Sequence, residues 1–313
     1  MSVMICGSLA FDTIMVFPQR FKDHILPDKT HMLNVAFLVP ELHRNYGGCA
    51  GNIAYSLKKL GGEPLPMATV GGDFEPYARH LAEQGICCDY VQTKPEQYTA
   101  QAYITTDLDD NQITAFHPGA MNANHEQAIP TDGSVRFGSI SPDGKEAMLK
   151  HSDQFAAAGI PHIFDPGQGL PMFDGDELLR MIDNAEWLTL NSYEWEMLAE
   201  RTGLSREAAL ERLGGGLIIT HGAKGSELIE PGQREWIDPA PASQIIDPTG
   251  CGDAYRAGLL FGLSQGWDAV DACCLGSLMG AIKIEHAGPQ HHDFTPDDIK
   301  QRYQDAFGRS FPA

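Results

Sequence analysis

The sequence predicts an α/β fold, with a doubly wound core sheet and a small additional β-sheet. The first observation is a repeated order of short apolar strand, glycine-rich or polar turn and helix, as in residues 65–84 and 162–184. The second is that three X-Pro pairs interrupt residues 15–45, so these residues do not read as a helix between two core strands. The third is a hairpin pattern at residues 99–117 around a polar turn.

The two irregular segments are expected to pair with each other. Residues 35–39 are a short strand-like apolar run, and residues 99–106 and 113–117 form the arms of the hairpin. If they pair into one small sheet over the ligand side of the core, that sheet would act as a lid that excludes water during chemistry. The alternative is a pair of surface hairpins without a role in the site.

Composition limits the partners that the protein can have. The chain has 313 residues, of which 42% are hydrophobic and 20% charged, and its formal net charge is −20. That balance argues against nucleic acid or an anionic membrane as a partner. An anionic ligand must therefore be held locally, by backbone N–H groups, a metal ion or a few placed cations.

The cysteines and the apolar runs indicate a cytoplasmic protein. Seven cysteines show no CxxC spacing, and two adjacent pairs cannot form relaxed bridges, so we expect reduced thiols. The first residues lack the basic start and apolar region of a signal peptide. No apolar run approaches the roughly 20 residues that span a bilayer.

The N-terminal part offers candidate groups for binding a polar ligand. An apolar strand at residues 3–6 ends at Gly7-Ser8, and Asp12 follows, where a carboxylate can accept hydrogen bonds from sugar hydroxyls. A loop Asp that caps a turn is about equally compatible with this pattern. A glycine-rich helix start at residues 46–52 would let a ligand approach the backbone, and Asn52 lies in its first turn.

Two later strand ends could hold a nucleotide and its metal. Asn191 and Glu194 follow a strand and could orient water around Mg²⁺, although an Asn cap with Glu in a capping arrangement is favoured from these residues alone. Further on, Thr220, Gly222 and Gly225 give a hydroxyl and two flexible backbone positions where a phosphate chain could lie.

Residues 245–260 contain the strongest candidate for catalysis. An apolar run leads into Asp-Pro-Thr-Gly-Cys-Gly-Asp, and an apolar helix follows. Backbone N–H groups at such a turn, with a helix N-terminus behind them, bind anions. Asp253 would stand beside them as a base for an attacking hydroxyl, the pairing that phosphoryl transfer needs. Taken alone, a simple capped helix remains a serious alternative.

In this order, the three glycine motifs resemble those of the PfkB, or ribokinase-like, carbohydrate kinase family over nearly the whole chain. Within the family the sequence is most similar to bacterial adenosine kinases, on the basis of residues 116–121, Asp165-Pro166 with Gln168, and residues 191–195. The resemblance implies one kinase domain over residues 1–313, a three-layer αβα doubly wound core, and a β lid formed by about residues 15–45 and 98–118. Gln101, Ala102 and Tyr103 depart from the Arg-Phe pair expected in those adenosine kinases.

The resemblance also implies roles for individual residues. Catalysis would use Asp253 as base and the N–H groups of Gly250, Cys251 and Gly252 as the anion hole. The substrate site would comprise Ser8, Asp12, Gly47, Gly48, Asn52, Tyr103, Phe116 and Gln168. The ATP site would comprise Asn191, Thr220, Gly222 and Gly225, with Mg²⁺ held through water by Glu194 and Asn191 and a K⁺ option at Asp247 and Thr249.

The expected activity is ATP-dependent phosphorylation of a nucleoside ribose 5′-hydroxyl, with Mg²⁺ and optionally K⁺. Adenosine, converted to AMP in purine salvage, is the first candidate substrate. The alternatives are a sugar or sugar-phosphate kinase of the same family and a non-catalytic nucleoside-binding protein. The lid sheet could also pair with a second copy to form a homodimer.

Overall fold

The computed structural model describes residues 1–24, 35–109 and 111–312, which contain two sheets and two layers of helices. The strands are β1 (Ser2–Cys6), β2 (Ala10–Val16), β3 (Glu41–Gly47), β4 (Glu63–Gly71), β5 (Val91–Lys94), β6 (Ala100–Thr106), β7 (Gln112–His117), β8 (Phe137–Ile140), β9 (His162–Phe164), β10 (Trp187–Asn191), β11 (Gly216–Thr220), β12 (Ser226–Glu230) and β13 (Gln233–Ile237). The α-helices are α1 (Cys49–Lys59), α2 (Glu75–Glu83), α3 (Lys145–Ala158), α4 (Gly175–Asn184), α5 (Ser192–Thr202), α6 (Arg206–Leu210), α7 (Cys251–Ser264), α8 (Ala269–Ile284) and α9 (Pro296–Phe307).

The large sheet has nine strands in the order β13-β12-β11-β10-β9-β8-β1-β4-β5. Strands β1, β4, β5, β8, β9, β10 and β11 pair in parallel, and β12 and β13 add an antiparallel hairpin at one edge. The chain builds outward from β1 first on the β4 side and then on the β8 side. The order therefore reverses beside β1, the kind of position at which open α/β sheets bind ligands.

Helices cover both faces of this sheet, which confirms the predicted α/β fold. Alternate residues of β1 point into two separate apolar clusters: Val3 and Ile5 pack with α1, α2, α7, α8 and α9. Met4 and Cys6 pack with α3, α4, α5 and α6. Because both faces are buried, the strand is apolar throughout rather than alternating.

The small sheet has the order β3-β2-β6-β7, so the two irregular segments do pair, through parallel strands β2 and β6. Its first strand starts at Ala10, before the predicted start near residue 15. The strand predicted at residues 35–39 is wrong, because the third strand lies at Glu41–Gly47. The apolar run serves packing instead: the ring of Phe37 lies 4.7 Å from that of Phe17 and 5.1 Å from that of Phe21.

Within the described residues, no helix combines the length and the apolar character that crossing a bilayer requires.

Candidate active site

The N-termini of helices α1 and α7 meet where the sheet order reverses. Each helix starts with a cysteine, Cys49 and Cys251, after a glycine with positive φ: 83° at Gly48 and 80° at Gly250. A side chain at either glycine would be strained in that backbone conformation. The two glycine-rich motifs predicted from the sequence are therefore brought together, more than 200 residues apart in the chain.

A chain of hydrogen bonds fixes the carboxylate of Asp253 in the first turn of α7. The amide of Asn52 donates to Asp253 Oδ2 over 2.8 Å. The amide nitrogen of Gln290 donates to Asn52 Oδ1 over 3.0 Å, and it also lies 2.7 Å from the hydroxyl of Tyr77. That hydroxyl donates to the carbonyl of Gly47 over 2.8 Å. Because Gln290 occupies Asn52 Oδ1, Asn52 must present its N–H₂ group to the carboxylate.

The surroundings of Asp253 give it the properties of a base near neutral pH. Burial raises its pKa to about 6, although the hydrogen bond from Asn52 and the charge of Arg256 oppose this shift. A carboxylate with this pKa is mostly ionised at neutral pH and is a stronger base than an ordinary aspartate.

The start of α7 offers backbone donors for an anion. In the described chain, the N–H groups of Gly250, Gly252 and Asp253 have no acceptor. The N–H of Cys251, in contrast, donates to the carbonyl of Pro248 over 3.1 Å. Two of the three predicted anion-hole donors are thus open in this conformation, and the N–H of Asp253 itself adds a third. Their position at the N-terminus of a 14-residue helix favours negative charge.

Asp12 lies in strand β2, not in a loop as the sequence suggested, and its carboxylate faces Gly47 of β3. A Cβ atom at Gly47 would overlap that carboxylate, so a larger residue there would displace the side chain of Asp12. Among the described residues, none donates a hydrogen bond to the Asp12 side chain, and burial raises its pKa to about 6. A partly buried carboxylate without donors is suited to accept them from a ligand.

Ser8 serves first as a support for helix α1. Its hydroxyl oxygen accepts the N–H of Cys49 over 3.1 Å, and its carbonyl accepts the N–H of Ala50 over 3.0 Å. The backbone of Gly48 packs against that carbonyl. The substrate contact predicted for Ser8 stays a prediction.

Pairing in the small sheet separates the two predicted aromatic residues. Asp12 and Phe116 lie in one cross-strand row and so share a face. Tyr103 lies in the adjacent row and points to the opposite face, where its hydroxyl lies 2.6 Å from Gln101 Oε1. Tyr103 therefore points away from the face of the small sheet that carries Asp12, and its predicted substrate contact stays a prediction. Phe116 and Gln168 are both exposed and remain candidates for base contact.

The predicted nucleotide residues lie side by side at the ends of two neighbouring strands. Asn191 ends β10 and pairs directly with Thr220, which ends β11. The hydroxyl of Thr220 points back to the carbonyl of Leu190 over 3.4 Å. Gly222 and Gly225 follow with φ values of 59° and 105°, so this turn requires glycine at both positions.

The arrangement of Asn191 and Glu194 is a capping box. Asn191 Oδ1 accepts the N–H of Glu194 over 2.8 Å, and Glu194 Oε2 accepts the N–H of Asn191 over 2.7 Å. Each side chain keeps one polar atom free of these bonds. Burial, and to a smaller extent the charge of Asp165, raises the pKa of Glu194. No group of three or more potential metal-binding side chains occurs in the described residues. The free carboxylate oxygen of Glu194 could orient water around Mg²⁺, so the predicted role of the pair stays a prediction.

The sequence did not predict a buried ion pair that lies one helical turn from Asp253. Arg256, one turn after Asp253, donates from Nε and Nη2 to the two carboxylate oxygens of Asp165 over 2.8 and 2.9 Å. Burial opposes the charge of Arg256, but the Asp165 carboxylate outweighs this effect and raises its pKa. The sequence placed both residues in motifs, but nothing in it paired positions 91 apart.

The predicted potassium site at Asp247 and Thr249 does not fit a metal ion. The N–H of Thr249 donates to Asp247 Oδ1 over 2.8 Å, and the N–H of Gly288 donates to Oδ2 over 2.7 Å. The carbonyl of Asp247 accepts a hydrogen bond from Lys283 Nζ over 2.7 Å. All three oxygens of Asp247 already accept hydrogen bonds from the protein.

Fold and site together are those of an α/β phosphotransferase, with open backbone N–H groups at a helix N-terminus beside a buried carboxylate. The pfkB family of carbohydrate kinases matches residues 9–296, and the chain belongs to that family.

Relatives and solved structures within the family are similar over nearly the whole chain. A nucleoside kinase of Methanocaldococcus jannaschii is 32% identical over 273 residues, which cover 87% of this chain and 89% of that protein. Its crystal structure, described as an archaeal member of the ribokinase family, aligns with a TM-score of 0.89 over 97% of this chain and 98% of that one. A Burkholderia thailandensis nucleoside kinase in complex with inosine aligns with a TM-score of 0.89 and 45% identity, over 98% of this chain and 99% of that one.

Proposed function

We propose that this protein is an ATP-dependent nucleoside kinase that phosphorylates the ribose 5′-hydroxyl of a purine nucleoside, with adenosine as the expected substrate. The observation that carries the proposal is the contact between Asn52 and Asp253 at the N-terminus of α7. This contact holds a carboxylate with a raised pKa directly beside open backbone N–H groups, which supports a role for Asp253 as base. A hydroxyl acceptor and a transferring phosphoryl group need these two features side by side.

The proposed reaction joins the acceptor oxygen to the γ-phosphorus of ATP while the bond from that phosphorus to the β–γ bridging oxygen breaks. Asp253 takes the hydroxyl proton, and the N–H groups of Gly250 and Gly252 hold the phosphoryl oxygens. Little covalent chemistry falls to the protein, so alignment and charge stabilisation carry most of the catalysis.

Mg²⁺ would neutralise charge on the ATP phosphates. It keeps several waters and binds mainly through phosphates and one or two carboxylates. Glu194 would contact it through water, since one carboxylate oxygen is held by the N–H of Asn191. ATP itself would lie along the turn after Thr220, whose glycines allow close approach of the phosphates.

A nucleoside acceptor is supported from both sides of the site. Asp12 has no donor in the described chain and faces the same side of the small sheet as Phe116, so a ribose hydroxyl and a base could be met by one face. The structure of the Burkholderia thailandensis nucleoside kinase has also been solved in complex with ADP-inosine, and that chain is 47% identical to this one. A sugar phosphate is less well served, because residues 99–117 contain no Lys or Arg to bind its phosphate.

A substrate panel tests the proposal. Purified protein with ATP and Mg²⁺ is given adenosine, inosine, free ribose or fructose 6-phosphate, and ADP release is followed. We expect nucleoside-dependent ADP release, with adenosine the better substrate, and little with the other two. ADP release only with a sugar or sugar phosphate would overturn the nucleoside assignment. Nucleoside-dependent thermal stabilisation without any ADP release would instead identify a non-catalytic nucleoside-binding protein.

A further inference from the structure

The side chain of Lys283, near the end of α8, is fully buried, with 0% of it exposed. Lysine is among the residues least often buried, because removing an ammonium ion from water is costly unless it is paired. Such a placement is retained only where oxygen atoms replace the lost water.

Three oxygens from two residues form a cage around Lys283 Nζ. The ammonium donates to the carbonyl of Asp247 over 2.7 Å and to the carbonyl of His286 over 3.1 Å. It also lies 3.6 Å from Asp247 Oδ2. Two carbonyls and a carboxylate are the hard oxygen ligands that an alkali ion would use. With Nζ at hydrogen-bonding distance from both carbonyls, no room is left for an ion between them.

This cage is tied to the loop that leads into α7. The N–H groups of Ile246 and Asp247 donate to the carbonyl of Ile284 over 2.8 and 3.2 Å. The N–H of Gly288 donates to the Asp247 carboxylate over 2.7 Å. Three residues after Asp247, the chain reaches Gly250 and the open N–H groups of the anion hole. Lys283 therefore fixes the start of the segment that carries those N–H groups.

We propose that the ammonium of Lys283 is a built-in monovalent cation, which makes this kinase independent of K⁺ and positions the anion hole through Asp247. The inference rests on the proposed kinase function for its activity readout. Lys283 is a positioning residue, since its contacts are with the Asp247 loop and the carbonyl of His286.

The Asp247 carboxylate, with Oδ2 3.6 Å from Nζ, favours the protonated ammonium over the neutral amine. Burial lowers the pKa of Lys283, and the Asp247 carboxylate opposes that shift. A tethered ammonium supplies the same single positive charge as K⁺ without requiring an ion from solution.

The first test compares monovalent cations on the wild-type protein. ADP release with nucleoside is measured with K⁺, Na⁺ or choline as the only monovalent cation, at equal ionic strength. We expect the same rate in all three. A saturable requirement for K⁺ would overturn the proposal.

The second test removes the built-in cation. Lys283→Ala should lower turnover in choline by roughly 10-fold or more, the size typical when a group that orients a site is lost. Added K⁺ or NH₄⁺ should restore part of the rate in a saturable way. The matched control is exposed Lys300→Ala, which should keep the wild-type rate and show no response. A Lys283→Ala protein that is fully active in choline would contradict the positioning role.

The third test does not depend on turnover. Crystals soaked with Tl⁺, an electron-dense K⁺ mimic, should show no ion at Asp247 in the wild type and one in Lys283→Ala. Tl⁺ beside Asp247 in the wild type would sink the inference even if the protein proves not to phosphorylate nucleosides. If Lys283→Ala does not fold, the wild-type rate and the wild-type crystal still decide.

Discussion

The two carboxylates of the site, Asp253 and Asp12, lie in regions built in opposite ways. Asp253 lies in the first turn of α7, a helix that packs on the large sheet. It accepts a hydrogen bond from Asn52, which in turn accepts one from buried Gln290. Asp12 lies on the small sheet, whose edge strand β7 is exposed at every residue, and accepts no hydrogen bond from the described chain. The carboxylate of Asp253 is therefore fixed by the protein alone, whereas that of Asp12 is left open to hydrogen-bond donors from a ligand.

Asp253→Asn should have the largest effect, because it removes the base while keeping the contact with Asn52. An Asn oxygen can still accept from the Asn52 amide, so the fold and nucleoside binding should persist. Turnover should fall by about 10²–10⁴-fold, the range for loss of a general base. The measurement is kcat together with nucleoside affinity. Near-normal turnover would remove Asp253 from the mechanism.

Asp253→Asn also tests how activity and stability depend on pH. In the wild type, activity should fall as pH drops through about 6, where Asp253 becomes protonated. Because burial raises this pKa above its ordinary 3.8, the folded state binds the proton more tightly than the unfolded state. The contribution of protonated Asp253 to the free energy of unfolding is thus present at low pH and is lost as pH rises through about 6. Asp253→Asn should consequently melt higher than wild type at neutral pH, and the difference should shrink toward pH 4.

Arg256→Met should have the largest effect on stability. It leaves the Asp165 carboxylate buried without its partner, which costs roughly 3–5 kcal/mol. Since Arg256 lowers the pKa of Asp253, the acidic limb of the rate profile should also move to higher pH. Arg180→Met is the control: its pair with Asp153 is about half exposed on both sides and is worth about 0–1 kcal/mol. Equal melting temperatures for both variants would contradict this account.

Asp12→Ala should act on binding rather than on chemistry. Losing a charged acceptor for ribose hydroxyls costs about 1.5–3 kcal/mol, roughly 10- to 100-fold in KM. Turnover at saturating nucleoside should change far less, because Asp253 and its support are untouched. Unchanged affinity by calorimetry would place Asp12 outside the site.

The smallest expected effect separates the two faces of the small sheet. Phe116→Ala should weaken nucleoside binding by about 1 kcal/mol, the size of an aromatic contact, which is roughly a 5-fold rise in KM. Tyr103→Ala, on the opposite face, should leave the KM unchanged, although it loses the contact with Gln101. The reverse result would show that the base binds on the other face.

The sequence was most informative where local signals coincide with function. The glycine motifs predicted both helix starts at the site, and the strand ends at Asn191 and Thr220 are adjacent as a doubly wound sheet requires. Homodimer formation through the small sheet stays a prediction, which light scattering of the purified protein would test.

Long-range polar pairing could not be read from the sequence. Gln290 lies outside every motif, and its contact with Asn52 joins positions 238 apart. Residues 35–39 misled because an apolar run looks the same whether it pairs as a strand or packs beside Phe17. The face of the sheet on which Tyr103 lies depends on strand register, because a shift of one residue moves every side chain to the opposite face.

The cysteines at the starts of α1 and α7 have a consequence for handling and redox behaviour. Helix N-termini often lower the pKa of cysteine and create reactive thiolates. Here burial instead raises the pKa of Cys251 to about 11 and that of Cys49 well above its ordinary value. Both thiols stay protonated at neutral pH, so electrophiles and oxidants should react with exposed Cys87 before they reach the site.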